Sequence, residues 1–129
     1  MKIHQHFLVA LAACIILYPT TSLINLAAIL AFGVLIDADH YLWYVLKFRS
    51  LNFKKAMKYF RTVEDANHIL LPFHCVECFI PLLVLALYFQ VAWYALLGFT
   101  IHMVLDLIQL KFLKPDRRNM SLVGWYAKK

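Results

Sequence analysis

The sequence predicts an all-α membrane protein: four transmembrane helices in a bundle, with a short basic amphipathic helix at the interface between the second and the third. Three observations carry that prediction. Hydrophobic residues make up 64% of the 129-residue chain and charged residues 16%, and so small a domain has too little interior to hide that much apolar surface from water. The apolar residues gather into four runs, each near the length at which a helix crosses hydrocarbon, where only helices satisfy their own backbone hydrogen bonds. The thirteen Lys and Arg border these runs and never enter them. That placement also disposes of nucleic acid, which a net charge of +6 would otherwise suggest. The expected partner is a lipid bilayer, with some attraction to anionic lipid.

The first helix is expected over about residues 3–18. Lys2 and the run from Phe7 to Leu17 have the look of a signal peptide, and Leu11-Ala12-Ala13-Cys14 resembles a lipoprotein cleavage box. The apolar run continues through that box to Tyr18, however, so a retained helix is the expectation. Pro19, Thr20, Thr21 and Ser22 make the first turn, and the second helix follows over 22–46. The connection from Lys47 to Asn67 carries six Lys or Arg. Within it Phe53, Ala56, Met57, Phe60 and Val63 recur at helical spacing, with Asn52 as N-cap, which predicts an amphipathic helix over 52–63 lying on the inner leaflet.

The third helix is expected over 68–89, its apolar run beginning at Pro72, and the fourth over 91–113 after a turn at Gln90 to Trp93. A basic tail, 114–129, completes a single integral membrane domain of residues 1–129. Because Lys2, the middle connection and the segment from Lys111 onward hold all the cations, the cationic-loop rule places them in the cytoplasm, both termini included, in a multi-pass protein. Trp43, Tyr44, Tyr59, Trp93 and Trp125 read as interfacial anchors. Cys14, Cys75 and Cys78 read as reduced packing residues, since the CxxC formed by Cys75 and Cys78 has no second ligand pair to complete a structural zinc site.

The stretch "GVLIDADHYLW" breaks the apolar pattern. From Ile3 to Leu46 and again from Thr62 to Leu110 there is no Lys or Arg, yet these stretches hold Asp37, Asp39, Glu77 and Asp106 and the six histidines. A charge at mid-bilayer costs about 2.5 to 3.5 kcal/mol on insertion scales, so four bare carboxylates would cost about 10 kcal/mol. With no internal cation to pair with, they must be protonated, hydrated in a cavity, or bound to a cation the polypeptide does not supply. The predicted topology puts all of them in the cytoplasmic half of the bilayer, Asp37 and His40 about 9 to 14 Å above the inner end of their helix.

Spacing agrees with depth. Asp37 with His40 and His74 with Glu77 are i,i+3 pairs and His102 with Asp106 is an i,i+4 pair, so each would share a helix face. His/acid pairs on facing helices are how bundles build metal centres with one or two ions, and imidazole with carboxylate suits zinc foremost, with manganese or iron as alternatives. The expected ligands are His6, Asp37, His40, His74, Glu77, His102 and Asp106. Asp39 points about 160° from Asp37 on an ideal helix, so direct ligation, support of a ligand and general-base action all stay open. His68 is a further candidate ligand or a loop histidine, His4 is equally well solvated at the interface, and Glu64 and Asp65 read as a solvated helix start.

Taken together, His6, then "IDADH", "HILLPFHCVE" and "HMVLD" make the chain resemble the membrane-bound metal-dependent hydrolases of bacteria and archaea, the LexA-regulated inner-membrane protein group. The resemblance runs from about His6 to Asp106. It departs from that group's His-rich third element, where Cys75 follows His74. It implies a prokaryotic inner-membrane location and metal binding more firmly than any substrate. The hydrolase reading has a metal-activated water as nucleophile, Asp39 or Glu77 as general base, and a phospholipid, polyprenyl phosphate or other amphiphilic ester as substrate. Two other classes stay open: a divalent-metal or proton transporter or channel, although the clustering of polar groups in one half of the bilayer counts against a monomeric pore, and a non-catalytic membrane protein with a structural metal; an oligomer is open in each case.

Overall fold

The computed structural model describes residues 3–62, 69, 71–109 and 121–127. Every regular element among them is helical: α1 (Ile3–Leu17), α2 (Leu23–Val34), α3 (Ala38–Phe48), α4 (Phe53–Thr62), α5 (Phe79–Ala86), α6 (Gln90–Ile108) and α7 (Leu122–Tyr126). Short 3-10 turns lie at Tyr18–Thr20, Leu35–Asp37, Pro72–His74 and Val76–Cys78.

The all-α expectation holds, and the expectation of four spans is corrected to two. Leu23–Phe48, a helical stretch of 26 residues that includes the 3-10 turn at Leu35–Asp37, and Gln90–Ile108, of 19 residues, are long and apolar enough to cross a membrane. The first apolar helix extends only over His4–Thr20 and the third only over Val76–Ala86. Proline explains the shortfall of the third. Pro72 forces Leu71 to an extended conformation (φ −113°, ψ 95°), and Cys75 is extended again (φ −89°, ψ 138°). Pro81 lacks an N–H and clashes with the carbonyl four residues back inside a helix, so it is tolerated only in a first turn, and α5 starts two residues before it. The helix expected over 68–89 is thereby reduced to its second half. The fourth is described over Gln90–Ile108, and the remainder of its expected run, with the rest of 110–120, lies outside the described residues.

The chain divides into two compact units. The first, residues 1–36 and 78–115, packs α2 against α6, with α1 on α2 and α5 on α6. Cys14, Leu26 and Ile29 form its buried cluster, flanked by Ala13, Leu17, Leu30 and Tyr94, and the Cys14 thiol donates to the Leu26 carbonyl at 3.5 Å. The contact of α2 with α6 is made through glycines. A Cβ on Gly98 would fall on the Ile29 carbonyl oxygen and lie 3.1 Å from the Gly33 nitrogen, and one on Gly33 would meet the Ala10 Cβ at 3.0 Å. Only residues without side chains let the two backbones approach so closely, as small residues do where helices pack in lipid.

The second unit, residues 37–77 and 116–129, is held by aromatic packing between α3 and α4. Trp43 stacks on Tyr59 at 5.9 Å and meets Phe60 at 5.8 Å, while Phe48 meets Tyr59 at 5.1 Å. Ile69 and Leu71 are buried beneath Trp43, Tyr59 and Phe60. Two of the expected interfacial anchors, Trp43 and Tyr59, thus pack on each other. The expected helix over 52–63 is present as α4, and its predicted cap is real: the Asn52 side-chain oxygen accepts from the Lys55 N–H at 3.0 Å. Lys54, Lys55 and Lys58 on its other face are at the surface. α3 ends at Arg49, whose left-handed backbone (φ 49°) turns the chain toward α4. The thiols of Cys14, Cys75 and Cys78 are free of disulfides, as expected.

Candidate metal centre

The second unit opens at Asp37, directly before α3, which places Asp37, Asp39 and His40 at the start of that helix. The 3-10 turn Pro72–His74 supplies His74. Asp37, His40 and His74 bring one ligand atom each to within 4.8 Å of one another, so they could hold a metal ion.

Distances separate two kinds of contact within this group. Asp39, only 3% exposed, lies at hydrogen-bond range of three donors: His40 Nδ1 at 3.1 Å, His74 Nδ1 at 3.0 Å and the Phe73 backbone N–H at 3.2 Å. An ionised carboxylate only accepts, so each Nδ1 carries the proton and each Nε2 a lone pair. The contacts to Asp37 are longer. Its Oδ1 lies 3.4 Å from His74 Nε2 and 3.6 Å from His40 Nδ1, beyond ordinary N–H···O bonds. Two ligand atoms each about 2.1 Å from a tetrahedral ion stand about 3.4 Å apart, the spacing that Asp37 Oδ1 keeps from the Nε2 atom of His74. A lone pair facing a carboxylate oxygen is repulsive unless something positive lies between them. Asp39 orients two imidazoles through their Nδ1 atoms, in the arrangement by which carboxylates hold metal-ligating histidines.

The first unit holds a second group. His102 donates Nδ1–H to the Gly33 carbonyl at 3.1 Å, which fixes its tautomer and turns Nε2 toward Asp106 Oδ2, 3.8 Å away. His6 stacks on His102 with ring centroids 4.1 Å apart, and its Nε2 lies 3.3 Å from Asp106 Oδ1. That contact is at ion-pair range but off hydrogen-bond geometry, so neither ring nitrogen of His6 has a hydrogen-bond partner among the described residues. His6 and His102 are 0% exposed and Asp106 4%.

The remaining candidates fall elsewhere. Glu77 Oε1 accepts from the Ser121 hydroxyl at 2.7 Å and from the Val123 N–H at 3.2 Å, so this oxygen anchors the start of α7. Its expected pairing with His74 on one helix face does not occur, because the extended Cys75 interrupts the helix between them. His4 is exposed, and His68 lies outside the described residues. Three participants are invisible to a search for ligand-type side chains: the Gly33 carbonyl, the Phe73 N–H and the Ser121 hydroxyl. Only the first leaves a trace, since Gly98, His102 and Asp106 recur every four residues and so put a glycine contact and two ligand-type residues on one face of α6. Comparison of the chain with protein-family models, with curated proteins and with solved structures finds no match in any of the three.

Proposed function

We propose that the chain is a membrane-embedded metal-dependent hydrolase whose centre is built on Asp37, His40 and His74. The observation that carries the reading is the separation of 3.4 Å between Asp37 Oδ1 and the Nε2 atom of His74, too long for a good hydrogen bond and suited to two ligands of one ion. Three protein ligands drawn from histidine and carboxylate match the donor set of catalytic rather than structural zinc. Imidazole and carboxylate together favour zinc, manganese or iron over calcium or magnesium. A bound divalent ion here would polarise an ester or phosphoryl oxygen and lower the pKa of a bound water to about 7. Asp39, with both oxygens engaged by donors, is a positioning residue that keeps two imidazoles aimed. Glu77 is not assigned as the general base, because its carboxylate is engaged by Ser121 and Val123 rather than set beside these three ligands.

The substrate proposed is an amphiphilic phosphate or ester such as a phospholipid or polyprenyl phosphate. It is supported by the lysines at the surface of α4 and by apolar side chains such as Ile16, Leu23, Leu35, Ile80 and Leu87, each at least 65% exposed, which need lipid around them. With two crossings the six cations of the middle connection lie across the membrane from Lys2 and the cationic tail, so charge alone assigns no cytoplasmic face in the proposed multi-pass inner-membrane protein. The likeness of "IDADH" and "HMVLD" to the membrane-bound metal-dependent hydrolases supports the same reaction class.

The test is element analysis of the purified protein beside Asp37→Ala and His74→Ala variants, followed by assay on phosphomonoester, phosphodiester and carboxyl-ester substrates. Stoichiometric divalent metal, lowered in both variants, and turnover of one ester class are expected. Wild type without metal would overturn the reading, and metal without turnover in all three classes would reduce it to a structural ion.

A further inference from the structure

The aromatic packing that joins α3 to α4 does not stop at the hydrophobic residues but continues into the metal centre. His40, carried by α3, has its Nδ1 atom 3.1 Å from Asp39 Oδ1. A hydrogen bond at Nδ1 fixes where that atom lies. It leaves the ring free to tilt, because the torsion that turns an imidazole about its Cβ–Cγ bond has broad minima, and the tilt decides where Nε2 points. The plane of the ring is set by what packs against it. His74 meets it nearly at right angles, with ring centroids 4.6 Å apart and an interplanar angle of 84°. Phe60, from α4, meets it at 4.9 Å and 75°, in the edge-to-face arrangement that aromatic rings favour.

Phe60 is itself held in place. It meets Trp43 at 5.8 Å and 67° and Tyr59 at 5.3 Å and 88°, and with those two rings it packs over the buried Ile69 and Leu71. We infer that Phe60 is a positioning residue of the metal centre: its ring sets the plane of the His40 imidazole, so that α4 aims a ligand it does not carry. The inference rests on the reading of Asp37, His40 and His74 as a metal centre and gives α4 a part in it beyond its surface lysines. His40 is then oriented by two residues with separate tasks. Asp39 fixes which nitrogen bears the proton, and Phe60 fixes the direction in which the other one faces. In the sequence Phe60 is one apolar position of an amphipathic helix, and nothing in its spacing marks it off from Phe53 or Met57.

The test uses cobalt, whose visible ligand-field bands report how its ligands are arranged. Purified protein is stripped with chelator and titrated with cobalt alone, as wild type and as Phe60→Leu, Phe60→Tyr and Phe48→Leu, with helix content followed by circular dichroism. Phe60→Leu keeps an apolar side chain and removes the ring. It is expected to bind as many equivalents as wild type, with displaced bands and an affinity lower by about 2- to 10-fold, the worth of one aromatic pair. Phe60→Tyr keeps the ring and is expected to restore both bands and affinity. Phe48→Leu removes a ring that packs on Tyr44 and Tyr59 in the same cluster, and is expected to lower the melting temperature with the bands unchanged. Should Phe60→Leu lose helix content, Phe60→Met takes its place with the same expectation. Wild-type bands and affinity in the ring-less variant overturn the inference and leave the centre of Asp37, His40 and His74 standing. An equal displacement in Phe48→Leu overturns it too, because the effect is then one of general packing. Wild type that binds no cobalt overturns both the centre and the inference.

Discussion

Asp39 and Asp37 are two residues apart and chemically identical, yet the structure gives them different work. Asp39 receives the Nδ1 protons of His40 and His74 and the Phe73 N–H, whereas Asp37 stands at ligand spacing from His74 Nε2. Their substitutions should therefore differ. Asp39→Asn replaces one acceptor oxygen by a donor, so one histidine loses its support and metal affinity should fall about 10- to 100-fold, measured by competition with a chromogenic chelator. Asp37→Asn should abolish binding at that centre in the same assay, and equal losses in the two variants would refute the division of roles. A helix wheel cannot assign these roles. It shows Asp37 and His40 on one face because both lie on a single helical stretch. It misses that Asp39 meets His74 and Phe73, because the chain that delivers them is a loop shaped by Pro72.

The elements legible in the sequence are those whose cause is local. α4 announces itself through apolar spacing and Asn52, and the cap from Asn52 to Lys55 forms as expected. Asn52→Ala should cost about 1 kcal/mol of helix stability, seen as faster amide hydrogen exchange in the first turn of α4 with no change in metal content. Apolar character alone overstates the length of α5, because Pro81 and the extended Cys75 restrict the helix to the second half of its run. The same overstatement pairs His74 with Glu77, since i,i+3 spacing shares a face only where a helix runs without a break. Where α2 meets α6, a Cβ on Gly98 would strike backbone rather than a yielding side chain. Gly98→Ala should therefore destabilise by about 1 to 3 kcal/mol, measured as a lowered melting temperature in detergent. Gly33→Ala, whose closest clash is with the Ala10 methyl, should cost less.

At the scale of the molecule, composition predicts helices in an apolar solvent, and the structure is helical with large apolar side chains such as Ile15, Ile16, Leu46 and Tyr88 turned outward. The number of spans is less legible, because a run of apolar residues bounds a helix from above and only turns and prolines shorten it. The acids and imidazoles stand out as a class because the apolar runs around them make each one conspicuous; their partition into groups needs coordinates. An ion that binds only the folded chain stabilises it by about 4 kcal/mol when present at a thousand times its dissociation constant. Chelation should accordingly lower the melting temperature, and zinc should restore it; a melting curve indifferent to chelator would argue that no ion is bound.

Gly33 lies against α6 at Gly98 and also offers its carbonyl to His102. An engineer who tightens or loosens that crossing therefore turns an imidazole by the same stroke, and a screen for thermal hardiness alone would select variants with altered chemistry without seeing it. Any directed-evolution campaign on this chain needs stability and metal content scored together at positions 33 and 98.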